Sequence, residues 1–336
     1  MRVVVTGGAG FIGRALVNRL ATRGVDVVAL VRDPSKASYL LQPHVTLEPS
    51  DLTDTTALAR TMTGADAVIH AAGQYRIGIS AADRPHMLDA NLGTTERVLD
   101  AAIMAGVRRI VYVSTVNVFG DTGGKVVDET FQRDPTSKQG RFVSYYDETK
   151  YLAHLAAERR IAAGAPIVIV QPAQVYGPHD HSAASERLDM AFHGTMPYRA
   201  LTETGLAPVH VDDVVDGIVA ALIRGRIGQS YILAGPSMRM LEAQQIAARA
   251  GGHKLPRRSM PTPVLRVLAT LQRHGLHVSG APPDLAETIR AGVITYWASS
   301  AKANKELGFS ARPLEKGVAD TWGAKTPANT PTDRAD

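Results

Sequence analysis

The chain has 336 residues, 45% of them hydrophobic and 21% charged, which suits one large domain, or one and a half, with a sizeable core. Only 5% are aromatic and none is cysteine, which argues against a stacking surface for nucleic acid and excludes disulfides, thiolate nucleophiles, iron–sulfur clusters and cysteine-bound zinc. The formal charge of +5 is concentrated: Arg249, Lys254, Arg257, Arg258, Arg266 and Arg273 lie between Ala243 and Pro283 with no Asp or Glu among them, so the remainder is near neutral and no nucleic-acid partner is expected.

The chain opens on a strand pattern, Arg2 to Thr6, without the basic-then-apolar run of a signal peptide. Further β-branched runs follow at 26–31, 45–48, 67–70, 109–113, 166–170 and 231–234. Several are almost continuously apolar, as parallel strands covered on both faces are. Helical patterns lie between them near 11–22, 85–105, 143–163 and 212–224. This alternation predicts an α/β fold with a doubly wound parallel sheet of about seven strands. It weakens after Val175: 178–206 reads as irregular, 209–234 returns to helix then strand, and the rest has helical apolar spacing without good strand runs. The division expected is a nucleotide-binding domain over 1–175 and 207–235, a smaller, mostly helical substrate-binding lobe over 176–206 and 236–323, and a polar, disordered tail over 324–336. No apolar run approaches the roughly 20 residues that span a bilayer, and a cytoplasmic location is expected.

The first strand runs into Thr6-Gly7-Gly8-Ala9-Gly10-Phe11-Ile12-Gly13 and then into a helix. Gly7 and Gly10 permit a tight turn and the close approach of a pyrophosphate, Gly13 permits close packing of helix on strand, and the helix N-terminus offers free N–H donors. Set between a strand and a helix, the motif points to a bound dinucleotide, with Phe11 and Ile12 also on the cofactor. The second strand ends about 20 residues later, where an acid binds the adenosine ribose of NAD. Val31 holds that position here and Arg32-Asp33-Pro34-Ser35-Lys36 follows. A guanidinium suits the 2′-phosphate of NADP and Lys36 can assist, whereas Asp33 could face the ribose instead; NADP is preferred and NAD stays open.

Tyr146 and Lys150 stand four apart in a helical pattern and so share a face. A free phenol, with a pKa of about 10, is a poor base at neutral pH, and lowering it to about 7 takes roughly 4 kcal/mol. One cation about 4 Å away supplies that at an effective dielectric near 20, and an oxidised nicotinamide adds another positive charge. The fifth strand ends in Val113-Ser114-Thr115-Val116-Asn117, which brings hydroxyls to the C-terminal end of a strand, where sites form in open α/β sheets.

With these pieces in place, the chain resembles the extended short-chain dehydrogenase/reductase family, also described as NAD-dependent epimerases/dehydratases, up to about Trp322. The resemblance rests on TGGAGFIG (6–13), Ser50-Asp51-Leu52, His70-Ala71-Ala72-Gly73, Asn91-Leu92-Gly93-Thr94-Thr95, VSTVNVFG (113–120), YDETK (146–150), Gln171-Pro172-Ala173-Gln174-Val175-Tyr176-Gly177-Pro178, Val209-His210-Val211-Asp212-Asp213 and the late Ser299-Ser300-Ala301-Lys302 and Leu307-Gly308-Phe309. It implies a Rossmann-type sheet carrying a smaller lobe, and roles by position. Thr115 is implied to hydrogen-bond the reacting oxygen, Tyr146 to act as acid/base, and Lys150 to hold the nicotinamide ribose and tune Tyr146. Asp51 and Leu52 bracket the adenine, Ala71, Ala72 and Gly73 line the diphosphate and ribose side, and Pro172 and Val175 contact the nicotinamide. Ser114 competes for the hydroxyl role but fits the family spacing to Gly120 less well, and Asn91 reads as a structural hydrogen-bonder. Gln171, where an Arg often precedes the Pro, and His154, where an acid often follows the Lys, depart from the pattern.

Within the family, dehydratases usually place an Asp–Glu pair after the catalytic Thr, where this chain has Val116-Asn117. Epimerases usually hold NAD tightly and prefer an acid where Val31 stands. The third class reduces ketones or aldehydes, or oxidises the alcohol, with exchangeable NADP(H); VRDPSK (31–36) looks like its members. Dihydroflavonol reductases belong there. Gln74-Tyr75-Arg76, His193-Gly194-Thr195-Met196-Pro197 and 209–236 look like the hopanoid-associated sugar epimerase group, itself close to the dihydroflavonol reductases. The function expected is NADPH-dependent carbonyl reduction, with a sugar nucleotide epimerase and a non-catalytic NADP-binding regulator as alternatives. The partner is then a small carbonyl or alcohol, or a sugar nucleotide, and a homodimer is a family expectation. Tyr75, Tyr145, Gln174, Tyr176 and His193 are the substrate candidates, beside motifs near the nicotinamide. His179 and His181 lack a third ligand, so no metal is expected. In the basic stretch, Val264, Leu265, Val267, Leu268 and Leu271 keep a helical period. Lobe packing is the preferred role, before a lid over an apolar substrate or contact with a membrane surface.

Overall fold

A computed structural model describes residues 1–137, 140–275 and 282–323. The strands are β1 (Arg2–Thr6), β2 (Asp26–Val31), β3 (Val45–Pro49), β4 (Ala67–His70), β5 (Ile110–Val113), β6 (Ile167–Pro172), β7 (Val175–Tyr176), β8 (Gly205–Leu206), β9 (Val209–His210), β10 (Ser230–Leu233) and β11 (Met238–Arg239). Seven of them form one sheet in the order β10-β6-β5-β4-β1-β2-β3, and every pairing in it is parallel. β7 pairs with β9 and β8 with β11, outside that sheet.

Side chains alternate across the sheet, so the five inner strands feed two cores, while the edge strands β3 and β10 pack onto the first alone. Val3, Val5, Val27 and Ala29 join Leu16, Val17 and Leu20 of helix Phe11–Ala21 and Val214, Ile218 and Leu222 of helix Val211–Arg224. Val4, Val28, Leu30 and Val68 join Val98, Leu99 and Ala102 of helix Thr94–Met104 and Ala153 and Ala157 of helix Tyr145–Ala162. The result is a three-layer, Rossmann-type α/β arrangement. Burial on both faces explains why the strands read as unbroken apolar runs.

A third core has no part in the sheet. Leu188, Ala191, Met196, Leu206, Met240, Ala243, Ala247, Leu314 and Val318 gather helices Ala183–Phe192, Met240–Ala250 and Leu314–Val318. The expectation that 178–206 is irregular is corrected here. Ala183–Phe192 is a helix whose N-cap Ser182 accepts from Ser185 N. Its Ala-Ala-Ser start and Glu186-Arg187 pair hide a stripe of small residues and one Leu. The single helix expected over 85–105 is interrupted: a π-type turn at Asp89–Gly93 separates Arg84–Leu88 from Thr94–Met104 and carries Asn91. The tail expected to be disordered, 324–336, lies outside the described residues. Among the described residues, no helix is long and apolar enough to cross a membrane.

Candidate active site

The glycine loop has the shape of a cradle. Gly7 takes φ +73°, and a Cβ there would lie 2.7 Å from the Ala72 backbone, so this turn and its fit against the 71–72 segment demand glycine. A Cβ on Gly13 would strike the Gly7 carbonyl, so helix Phe11–Ala21 rests directly on the loop. Gly10 caps that helix without a side-chain acceptor, and no acid sits in the first turn. N–H donors and the positive dipole end therefore stay available to an anion. Phe11 and Ile12 are half-buried in the first turn.

At the outer end of β2, Arg32 and Lys36 are exposed and make no ion pair among the described residues. Asp33 is engaged locally: its carboxylate accepts from Ser35 N at 3.0 Å and Ser35 Oγ at 2.6 Å, which hold its pKa below the usual range. Arg14, which the sequence reading overlooked, adds a cation beside them. Its guanidinium lies 4.4 Å from the ring centre of Tyr39, whose hydroxyl donates to Ala9 O in the glycine loop at 3.0 Å. On the next strand, exposed Asp51 accepts from Thr53 N and Oγ1, which lower its pKa. Leu52 is held at φ +62°, a costly backbone for a bulky residue. Arg97 secures it, donating to Leu52 O at 2.8 Å while forking onto Asp89.

The reacting end lies where β4, β5 and helix Tyr145–Ala162 meet. Tyr146 is buried, edge-on to Tyr75 with ring centres 4.7 Å apart. Burial raises its phenol pKa far above the ordinary value, the Tyr75 hydroxyl adds to the rise, and hydrogen bonding with Thr115 opposes it. The Thr115 hydroxyl also donates to Asn117 Oδ1 at 3.0 Å and accepts from Asn117 N. Lys150 is buried with its ammonium on Tyr112 Oη at 3.4 Å and Val113 O at 3.3 Å, beneath Gly73. Burial is the largest influence on the Tyr146 phenol, and the Lys150 ammonium lies on Tyr112 and Val113 O. Ser114 is turned away, its Oγ 3.0 Å from His154 Nδ1. Asn91 ties the site together: its amide accepts from Gln74 N and donates to Gln74 O and Thr149 Oγ1.

A cavity of about 960 Å³ opens beside this cluster. Tyr75, Val116, Asn117 and Gln174 line its sheet side, and Met190, Met196, Leu201, Met240, Leu265 and Leu268 are among its apolar walls. Of the substrate candidates, Tyr75 and Gln174 face this cavity. Tyr145 packs beside Tyr146 in the same small cluster, its ring under Arg84. Tyr176 and His193 are placed elsewhere. Tyr176 is buried in the lobe core against Trp322 and His210, and His193 is half-exposed at the end of its helix, bonded to Asp189. Pro172 ends β6 and Val175 begins the β7–β9 pair. Sequence reasoning also missed Arg187 and Tyr296, both on the cavity. Arg14 was open to detection, because it stands in the first turn after the glycine loop. Arg187 carried no such signal, because the helix bearing it went unseen.

Residues 3–234 match the NAD dependent epimerase/dehydratase family. A Synechocystis protein provisionally named dihydroflavonol 4-reductase is 29% identical over 94% of this chain and 92% of its own. The 4-hydroxy-2-methyl-3-oxo-4-farnesyl-3,4-dihydroquinoline-1-oxide ketoreductase of Stigmatella aurantiaca is 30% identical over 98% of this chain and 97% of its own. The crystal structure of gox2253 is 31% identical and superposes with a TM-score of 0.80 over 95% of this chain and 97% of that one. With a seven-stranded parallel sheet, a glycine cradle at its first turn and this likeness across nearly the whole chain, the protein belongs to the NAD-dependent epimerase/dehydratase family and is an NAD(P)-dependent oxidoreductase of the extended short-chain dehydrogenase/reductase type.

Proposed function

We propose that the protein reduces a ketone or aldehyde of a small, predominantly apolar substrate with NADPH, or oxidises the corresponding alcohol. The observation that carries this reading is a buried phenol, Tyr146, hydrogen-bonded with Thr115 and packed edge-on against Tyr75, which itself lines the apolar-walled cavity. With its diphosphate held at the cradle, a bound dinucleotide would supply or accept the hydride through its nicotinamide. Tyr146 donates its proton to the carbonyl oxygen, and its raised pKa keeps that proton in place at neutral pH. Thr115, its proton turned from Asn117 Oδ1, donates a second hydrogen bond to the same oxygen as charge develops there. Lys150 is the residue placed to hold the nicotinamide ribose, next to Gly73. Ala71 and Ala72 back the diphosphate, Asp51 and Leu52 flank the adenine, and Pro172 and Val175 lie on the nicotinamide side. The sheet portion, 1–175 and 207–235, is then the NADP-binding domain, and 176–206 with 236–323 the substrate lobe.

NADP is the preferred cofactor in this reading, because Arg32 and Lys36 make no ion pair among the described residues, Arg14 on Tyr39 adds a third cation near the loop, and Asp33 is spent on Ser35. A ketoreductase of a farnesylated ring among the relatives agrees with an apolar substrate. A sugar nucleotide is the second reading, favoured by Arg187: its guanidinium lines the cavity with no carboxylate partner among the described residues, and burial pulls its pKa below the ordinary value. The deciding experiment follows NADPH consumption against lipophilic ketones and sugar nucleotides, in the wild type and Tyr146→Phe. Turnover of ketones that disappears in Tyr146→Phe while NADPH still binds supports the reading. Full activity in Tyr146→Phe, or turnover of sugar nucleotides alone, sinks it.

A further inference from the structure

The basic stretch has no part in the chemistry above, and its surroundings give it one. Helix Thr262–Arg273 presents two apolar stripes. Leu265 and Leu268 turn inward and line the cavity, and Ala269 is buried beside them. Val264, Val267 and Leu271, spaced at i, i+3 and i+7, form a second stripe that stays in solvent at 44%, 59% and 43% exposure. Arg266 and Arg273 are exposed along a third line of the same helix.

Just before the helix lies a shallow pocket of about 440 Å³ whose charged lining is entirely cationic: Arg199, Arg249, Lys254 and Arg257, with His253. Arg199 is joined to this segment by backbone, donating to Arg258 O and accepting from Met260 N. Its Nε is buried without a partner. None of these five residues, nor Arg258, Arg266 or Arg273, ion-pairs with a carboxylate among the described residues. An exposed apolar stripe is costly on a protein in water, and cations gathered in the pocket that precedes it in the chain, without carboxylate partners among the described residues, repel one another. Both costs are relieved by one kind of surface, with an apolar interior and an anionic face.

We propose that helix Thr262–Arg273 and the cationic pocket before it dock the protein on an anionic bilayer surface. Val264, Val267 and Leu271 enter the acyl boundary, and the cations meet lipid phosphates. Leu265 and Leu268 on the adjoining stripe place the cavity wall next to the bound face.

The test is co-sedimentation of the full chain with phosphatidylcholine vesicles, with and without phosphatidylglycerol. Binding is expected only to the anionic vesicles, and it should weaken as salt is raised. Val267→Ser with Leu271→Ser is expected to weaken it about tenfold, and each of Arg249→Gln and Arg257→Gln, in the pocket, about fivefold. Arg108→Gln, which removes an exposed cation elsewhere, should leave it unchanged. NADPH binding measured on every variant confirms that each is folded. No binding to anionic vesicles overturns the proposal, as does binding that ignores the helix substitutions. A dimer that forms without vesicles and is broken by Val267→Ser also overturns it, by assigning the stripe to a second copy of the chain.

Discussion

Arg133 forks onto Asp147, the residue after Tyr146, with Nη1–Oδ1 at 2.5 Å and Nη2–Oδ2 at 2.8 Å, and neither side chain is more than 1% exposed. Arg133 also donates to Gly140 O and Arg141 O, and its guanidinium stacks on Phe142. Asp147 in turn accepts from Val143 N and its own N–H is capped by Ser144 Oγ. The pair thus ties Arg133 and the 140–143 segment to the first turn of the helix that carries Tyr146 and Lys150. Arg133→Ala strands a buried carboxylate, and about 3–5 kcal/mol of unfolding free energy should be lost. Arg133→Lys should recover less than half of it, since one ammonium cannot reproduce the fork. Denaturant midpoints of the three proteins check this; a loss below about 1 kcal/mol for Arg133→Ala would show that the pair is replaceable.

In the proposed reading, cofactor choice turns on Arg32, Lys36 and Arg14. If Arg32 and Lys36 hold the 2′-phosphate, Arg32→Ala should weaken NADPH binding about 10- to 100-fold, the worth of one charge-assisted contact, while NADH binding changes little. Arg14→Ala should give a smaller loss, because its guanidinium is already stacked on Tyr39. Titration of cofactor fluorescence in each variant gives the two dissociation constants. Equal losses for NADPH and NADH would place Arg32 away from the phosphate.

The sheet was legible because its strands are buried on both faces: Val3–Val5 and Ile167–Val170 have no polar interruption, and turn signals close each one. The cradle was legible because its glycines are demanded by backbone, not by side-chain packing. Helix Ala183–Phe192 was not, since only Ser185, Leu188 and Ala191 of its ten residues are buried and two of those are small. Tyr176 and His193 were misplaced for a related reason. Their motifs lie near the site in sequence, but the β7–β9 pair turns Tyr176 into the lobe core, and the unseen helix carries His193 outward. The Arg133–Asp147 pair spans a loop without periodicity, so nothing in the pattern joins its two members.

A buried histidine makes stability depend on pH in a predictable sense. His70 sits at the end of β4, its Nδ1 2.7 Å from Thr6 Oγ1 and its Nε2 3.0 Å from Thr95 Oγ1, stacked on Tyr112. Burial, and then the charge of Lys150, push its pKa down to about 3. The unfolded chain binds the proton near pH 6.5 and the folded chain does not, so this contribution is complete above about pH 6.5 and is lost as pH falls toward 3. Between pH 6.5 and 5 the loss should approach 2 kcal/mol. His70→Gln removes the titration, so its stability should fall less steeply over that interval than the wild type's. Parallel slopes in urea unfolding at the two pH values would mean that His70 is protonated in the fold.

Gln244 offers the last test. It lies in helix Met240–Ala250 at 1% exposure, against the cavity, and neither Nε2 nor Oε1 finds a partner. Its neighbours in the lobe core are Met240, Ala243 and Ala247, so a methionine of similar volume fits the site without its polar atoms. A buried amide with both ends unsatisfied costs about 1–3 kcal/mol, and Gln244→Met should return that amount to the unfolding free energy. In the proposed reading, a ligand in the cavity supplies the missing hydrogen bonds. The same variant should then raise KM with little change in kcat, the signature of binding lost equally from ground and transition states. Stability gained with KM unchanged would show that the amide makes no bond to a ligand, and stability lost would show that Gln244 is hydrogen-bonded in solution.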